Sequence, residues 1–181
     1  VFPRSEWPAF VGWPMGPFEM SDLAGLDISW RTRKAQGRQA AIADALCEQG
    51  RFGQKVGQGY YRYDSGSRKP RQDDAVMELI ETESTKKGYD RRTLTTHEII
   101  ERTLYPMINE GVKILNEGIA MRRSDIDVVW VNGYGFPAAK GGPMHWAREF
   151  SEPRTVYDGL RKWHARSRRS AFEPAANFLD I

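Results

Sequence analysis

Gly12-Trp13-Pro14-Met15-Gly16-Pro17-Phe18 and Gly135-Phe136-Pro137-Ala138-Ala139-Lys140-Gly141-Gly142-Pro143-Met144 run in one order: glycine, aromatic, proline, then Gly-Pro and a large apolar residue. Proline is preorganised for the first position of a helix, where its missing N–H costs nothing. Each Gly-Pro step therefore reads as a loop ending and a helix beginning, with the large side chain turned inward. A duplicated helical unit accounts for both segments. The second copy carries helix-forming sequence ahead of its motif. The first has only Val1 to Val11 ahead of it, so it is expected to be truncated on its N-terminal side, with structure missing upstream.

Helix punctuation continues outward from both motifs. Pro17 opens a helix that Gly25 can close through a left-handed residue. Asp27 can cap a second helix towards Gly37, and residues 39–49 form a third that stops at Gly50. Arg51 to Asp64 holds Gly53, Gly57 and Gly59 and then Tyr60-Tyr61-Arg62-Tyr63, a loop leading into a short extended segment. Residues 64–72 are polar and turn-rich, which suits a linker. A helix follows from Asp73 to Lys87. Thr95 and Glu98 have the spacing of a capping box. They open the longest helix, over 96–121, in which Ile100, Leu104, Met107, Ile108, Leu115 and Ile119 recur at helical steps. Pro106 lies inside it and is expected to kink it. Ser124 can cap the next helix, ending at Gly133; Val156, Leu160 and Trp163 mark another, and Pro174 can open a last short one. Period-2 alternation is almost absent. The fold class is all-α, with residues 1–72 as the truncated first copy plus linker and 73–181 as the second copy.

Forty per cent hydrophobic and 12% aromatic residues place the chain among folded globular proteins. The net charge is +3, and the basic pairs and triplets, among them Arg166-Ser167-Arg168-Arg169, are scattered rather than gathered on one element. That argues against nucleic-acid binding. Solvated helix faces explain these clusters first, with an anionic group such as a CoA phosphate as the other reading. Cys47 is the one cysteine, so no intrachain disulfide is possible, which suits a reducing compartment. It reads as a small buried hydrophobe rather than a nucleophile. No apolar run approaches the roughly 18 residues that span a bilayer, so no membrane insertion is expected. An intracellular setting follows, the cytoplasm if bacterial; the final Phe178-Leu179-Asp180-Ile181 is not a Ser-Lys-Leu-type peroxisomal tail, yet the peroxisome stays open.

The stretch Gly12 to Asp27, continuing Glu19-Met20-Ser21-Asp22-Leu23-Ala24-Gly25-Leu26-Asp27, resembles a segment of the helical C-terminal domain of 3-hydroxyacyl-CoA dehydrogenases. Arg51 to Tyr63 is similar to the glycine-rich close of that domain. Tyr105-Pro106-Met107-Ile108-Asn109-Glu110-Gly111, Asp125-Ile126-Asp127 and Gly133 to Trp146 resemble the second helical copy of multifunctional enzymes, in the Ala-Ala-Lys-Gly-Gly-Pro-Met version of the monomeric peroxisomal type. These segments span roughly residues 7–180. The resemblance implies NAD-dependent oxidation of L-3-hydroxyacyl-CoA to 3-ketoacyl-CoA, with an enoyl-CoA hydratase/isomerase domain in the same enzyme. It also implies that the catalytic His–Glu pair and the NAD site lie in a nucleotide-binding domain absent here. The family's assisting Asn sits at the start of the long helix, where the second copy has Glu101-Arg102, so that copy is expected to be silent.

No catalytic, cofactor-binding or metal residue is therefore expected in this chain. Gly53, Gly57 and Gly59 lack the spacing and the strand context of a dinucleotide fingerprint. His97, His145 and His164 are too dispersed for a metal; His97 suits a surface or capping role, His145 a packed position, His164 an exposed helix end. Lys55 reads as a solvated loop lysine, with a phosphate contact as its alternative, and Asp22 and Asp27 as helix-terminus residues. Met15, Pro17 and Phe18 are the substrate-binding candidates, either as core or as an apolar wall for the acyl chain of acyl-CoA. Loss of the leading helices exposes apolar surface on the first copy, which predicts either self-association as a dimer or a repacked first copy. The competing reading is a stand-alone helical module that binds acyl-CoA or another protein.

Overall fold

The computed structural model describes residues 15–181. Gly12-Trp13-Pro14, the leading half of the first motif, lies outside the described residues. Among those described there are eight α-helices: α1 (Pro17–Ala24), α2 (Leu26–Ala35), α3 (Ala41–Glu48), α4 (Asp74–Lys86), α5 (Thr96–Asn116), α6 (Arg123–Gly133), α7 (Pro143–Trp146) and α8 (Pro153–Ser167). Among the described residues, extended structure is limited to isolated bridges, Gly53 with Gln58, Gln58 with Arg62 and Arg62 with Arg71. The all-α expectation holds. No described helix is long and apolar enough to cross a membrane.

The residues group into two compact units, Met15–Arg92 and Thr93–Ile181. The division falls after Arg92 rather than after residue 72, because α4 packs backwards. Val76 is buried with Leu26, Leu46 and Cys47, and Leu79 and Ile80 pack against the same cluster. Asp73 caps α4 by accepting from the Ala75 N–H at 3.1 Å, and its other oxygen takes the Arg51 guanidinium at 2.6 Å. The supposed linker is tied in as well: Arg62 and Arg71 exchange backbone hydrogen bonds of 2.9 and 2.8 Å, and Pro70 is buried.

In the second unit α5 buries Ile99, Leu104, Tyr105, Ile108 and Val112, and α8 presents Val156, Leu160 and Trp163. Thr95 caps α5 by accepting from Glu98 N–H at 3.2 Å, and the helix runs on through Pro106. Two glycines set the closeness of packing. A Cβ on Gly159 would stand 2.4 Å from the Tyr105 ring, and one on Gly111 would stand 2.5 Å from the Met144 sulfur. Asn109, fully buried, holds the C-terminal segment. Its amide donates to the Ala171 and Glu173 carbonyls at 3.2 and 2.8 Å and accepts from Ala175 N–H at 2.8 Å. Ser124 is not the cap of α6; Asp125 accepts from Arg122 N–H at 3.0 Å instead. Likewise Pro174 opens no helix, and the last turn is the 3-10 segment Phe178–Asp180.

The repeat is visible in the backbone. In the first unit, α1 meets α2 at Gly25, with φ 96° and ψ 117°. In the second, the chain from Pro143 meets α8 at Glu152, with φ 68° and ψ 130°. The two corners are the same bend, made once by glycine and once by a residue with a Cβ. Before the corner the first unit has eight helical residues. The second has four in α7 followed by a five-residue π turn, Ala147–Ser151. A π turn is how a helix absorbs one inserted residue.

Glu152→Gly is expected to relieve a conformation that side chains disfavour and to stabilise the second unit by about 1 kcal/mol, read as a higher urea midpoint. Burial pushes the Asp73 carboxyl up, but the Arg51 hydrogen bond, the Ala75 N–H and the Arg51 charge outweigh it and hold the group below its ordinary 3.8. A lowered folded value means its contribution is complete above 3.8 and is lost as pH falls through the lower value. Asp73→Asn should therefore lower stability near neutral pH and flatten the acid decline of the first unit, followed by urea titrations at descending pH.

Candidate functional site

Helix α1, Pro-Phe-Glu-Met-Ser-Asp-Leu-Ala, is amphipathic the wrong way round for a core helix. Its acids face inward: Asp22 is fully buried and Glu19 nearly so, while Met20 is 51% and Leu23 49% exposed. The cause is the glycine-rich loop that follows α3. Asp22 accepts from Tyr60 N–H at 2.8 Å, Tyr61 N–H at 3.0 Å and Tyr63 O–H at 3.0 Å. Three donors satisfy a carboxylate that has left water, which is the condition for burying one. Burial pushes the Asp22 carboxyl up, and the three hydrogen bonds and the Arg51 charge pull against it. Tyr60 is pushed up to about 12, by burial first and the Asp22 charge second, so it stays neutral.

The glycines are the other half of that contact. A Cβ on Gly53 would stand 2.2 Å from the Asp22 carbonyl oxygen, and one on Gly59 would stand 2.1 Å from the carboxylate. Gly53 also has φ 103°. These glycines make room for Asp22, and a loop pressed on a carboxylate does not suit a pyrophosphate. Lys55 is not a free cation: its ammonium binds Asp27. Asp27 is the second residue of α2 rather than its cap, and the Lys55 hydrogen bond lowers its carboxyl.

The predicted candidates lie along the outer side of this assembly. Met15 is half-buried, Pro17 exposed and Phe18 half-buried, with the Phe18 ring centroid 4.7 Å from that of Tyr60. The matching place in the second unit differs. Pro143 and Met144 are buried, and Met144 packs against Gly111. Asp127 caps α7 there, accepting from Met144 N–H at 2.8 Å and His145 N–H at 3.1 Å, and burial pushes its carboxyl up. The first unit thus keeps open an apolar face that the second covers. Met20 and Leu23 extend that face and were not among the predicted residues. Met20 lies three residues after Pro17 and Leu23 three after Met20, a helical spacing that was legible but first suggests core.

Several other polar groups hold the fold. Glu101 is buried; it accepts from Lys162 Nζ at 2.5 Å and Trp163 Nε1 at 2.9 Å and lies 3.2 Å from His97 Nε2, joining α5 to α8. His97 is exposed at the surface, as read from sequence. The His145 ring is exposed rather than in the core, lying edge-on to Phe150 with centroids 6.3 Å apart; its backbone N–H meets Asp127. His164 is half-buried, its Nδ1 3.3 Å from the Arg169 carbonyl. Cys47 is buried and burial pushes its thiol up, the opposite of what a nucleophile needs. Among the described residues no group of histidine, cysteine or acidic side chains could hold a metal ion. What the α1 face offers is apolar surface on a rigid support, suited to binding rather than proton transfer.

Residues 8–63 and 99–179 both match the family model described as 3-hydroxyacyl-CoA dehydrogenase, C-terminal domain. This chain belongs to that family. It is 43% identical over 172 residues to the peroxisomal bifunctional enzyme of Danio rerio, and 42% identical over 172 residues to that of Homo sapiens. Both alignments cover 84% of the chain but 24% of the relative, so the chain spans about a quarter of those proteins. The crystal structure of the dehydrogenase part of multifunctional enzyme 1 from C. elegans superposes with a TM-score of 0.72 at 25% identity, covering 92% of this chain and 38% of that one. Two matched segments, one in each compact unit, agree with a duplicated family domain.

The Asp22 contact is testable. In Asp22→Asn the amide N–H₂ must face one of two backbone N–H donors, leaving it unsatisfied. The expected loss is about 2–3 kcal/mol, read as a lowered urea midpoint, with Tyr63→Phe costing less because it removes one donor and leaves two.

Proposed function

We propose that this chain is the helical C-terminal part of a bifunctional β-oxidation enzyme, in which it completes the acyl-CoA cleft of the dehydrogenase. The observation that carries the reading is the family match in both units. It is supported by the open apolar face of α1, whose equivalent in the second unit is closed. In this reading Met15, Pro17 and Phe18 line the acyl chain, and Met20 and Leu23 continue the wall. The complete enzyme oxidises L-3-hydroxyacyl-CoA to 3-ketoacyl-CoA with NAD and hydrates enoyl-CoA in a separate domain, and a peroxisomal setting accords with the names of the relatives.

NAD would supply the hydride acceptor, and the residues described here do not fit it. The glycines of 53–59 are occupied by Asp22, and among the described residues no strand precedes them. The part played by this chain is to present an apolar wall whose backbone is fixed by a buried carboxylate. Fixing that wall matters because orientation of the substrate carbon against the hydride acceptor sets the rate. The second unit, with Glu101 tied to Lys162 and Trp163, is a structural partner.

Purified alone, the 181-residue chain should give no NAD reduction with 3-hydroxyacyl-CoA, while the complete enzyme containing it should turn over. Phe18→Ala in the complete enzyme should raise KM several-fold for a long-chain substrate. Turnover by the isolated chain, or a complete enzyme indifferent to Phe18→Ala, would overturn the reading.

A further inference from the structure

We infer that Tyr60, a residue that does not itself line the wall, sets the acyl-chain-length preference by fixing the depth of Phe18. The inference rests on the cleft reading above and adds a positioning residue to it.

Tyr60 stands between three things. Its ring backs Phe18 at 4.7 Å, tilted by 49°. It also packs against the core cluster of Leu26, Leu46, Cys47 and Val76. Its backbone N–H donates to Asp22 at 2.8 Å, and Asp22 belongs to the same helix as Phe18. Phe18 and Tyr60 are therefore held to each other twice, through their rings and through the carboxylate. Phe18 is the second residue of α1, behind Pro17, so its backbone has little freedom. The remaining variable is how far its ring stands out from the helix, and Tyr60 is the surface it stands on. A smaller residue at 60 lets the Phe18 ring sink and the wall recede; a larger one pushes the ring outward.

A hydrocarbon chain senses such a displacement only where it touches the wall. A four-carbon substrate has almost no tail to touch it with, and a sixteen-carbon one has a long one. An apolar interaction that weakens equally in the ground and transition states moves KM and leaves kcat unchanged.

The experiment compares 3-hydroxybutyryl-CoA with 3-hydroxyhexadecanoyl-CoA in the complete dehydrogenase containing this chain, for the native sequence, Tyr60→Phe, Tyr60→Leu, Tyr60→Trp, Phe18→Leu and the Tyr60→Leu/Phe18→Leu double variant. Tyr60→Phe keeps the ring and should keep the native profile. Tyr60→Leu should raise KM for the long substrate about five- to tenfold relative to the short one, with kcat within about twofold. Tyr60→Trp should shift the long-to-short ratio too, which keeps the test open if Tyr60→Leu fails to fold. Phe18→Leu should shift the ratio as well, and the double variant should show less than the product of the two effects, because both act through one contact. Equal losses on both substrates, or an unchanged ratio in folded Tyr60 variants while Phe18→Leu moves it, would overturn the role of Tyr60 alone. An unchanged ratio in Phe18→Leu itself would overturn the cleft reading together with the inference.

Discussion

The carboxylate of Asp22 is removed from water at the centre of the first unit, and much of the local architecture answers to that fact. Burying a charge is tolerated only when its lone pairs are met. Meeting them requires the backbone at Tyr60 and Tyr61 to come close, and close approach is possible only because Gly53 and Gly59 lack a Cβ. Once the acid face of α1 is committed inward, its apolar residues have nowhere to go but out. The exposed stripe of Pro17, Met20 and Leu23 is thus a consequence of the buried carboxylate and not an isolated anomaly.

The second unit solves a related problem with other groups. One of its buried acids, Asp127, comes from a neighbouring helix and caps α7, so Met144 can turn inward and the apolar face is closed. The corner between the paired helices persists, at Gly25 and at Glu152, although one extra residue has been taken up as a π turn. Keeping the bend at a non-glycine residue indicates that packing on both sides fixes the direction of the chain more strongly than the local preference of Glu152. Duplication has preserved the frame while the chemistry around it has diverged: an open wall in one unit, a closed clamp of Glu101, Lys162 and Trp163 in the other.

In the function proposed above, such a site contributes geometry. Apolar side chains placed on a helix that is fixed by three hydrogen bonds to a carboxylate hold their positions, and preorganisation of that sort is what the proposed wall would offer a bound acyl chain.

The amino-acid sequence by itself determined the helical class, the helix openings at Pro17, Thr95 and Pro143, and the duplication, because Gly-Pro steps, a Thr95–Glu98 box and three- and four-residue apolar spacing act through neighbours along the chain. It also determined the family, through Gly12 to Asp27 and Gly133 to Trp146. Only the tertiary structure decided that α4 belongs to the first unit, since Arg51 and Asp73 meet across a distance in sequence that no local pattern encodes. It likewise decided that Asp22 is a hub and not a helix-end residue, that the His145 ring is exposed, and that Phe18 stands on Tyr60. These are contacts between segments, set by which side chains a packed interior can satisfy, and a periodicity along one segment carries no record of them.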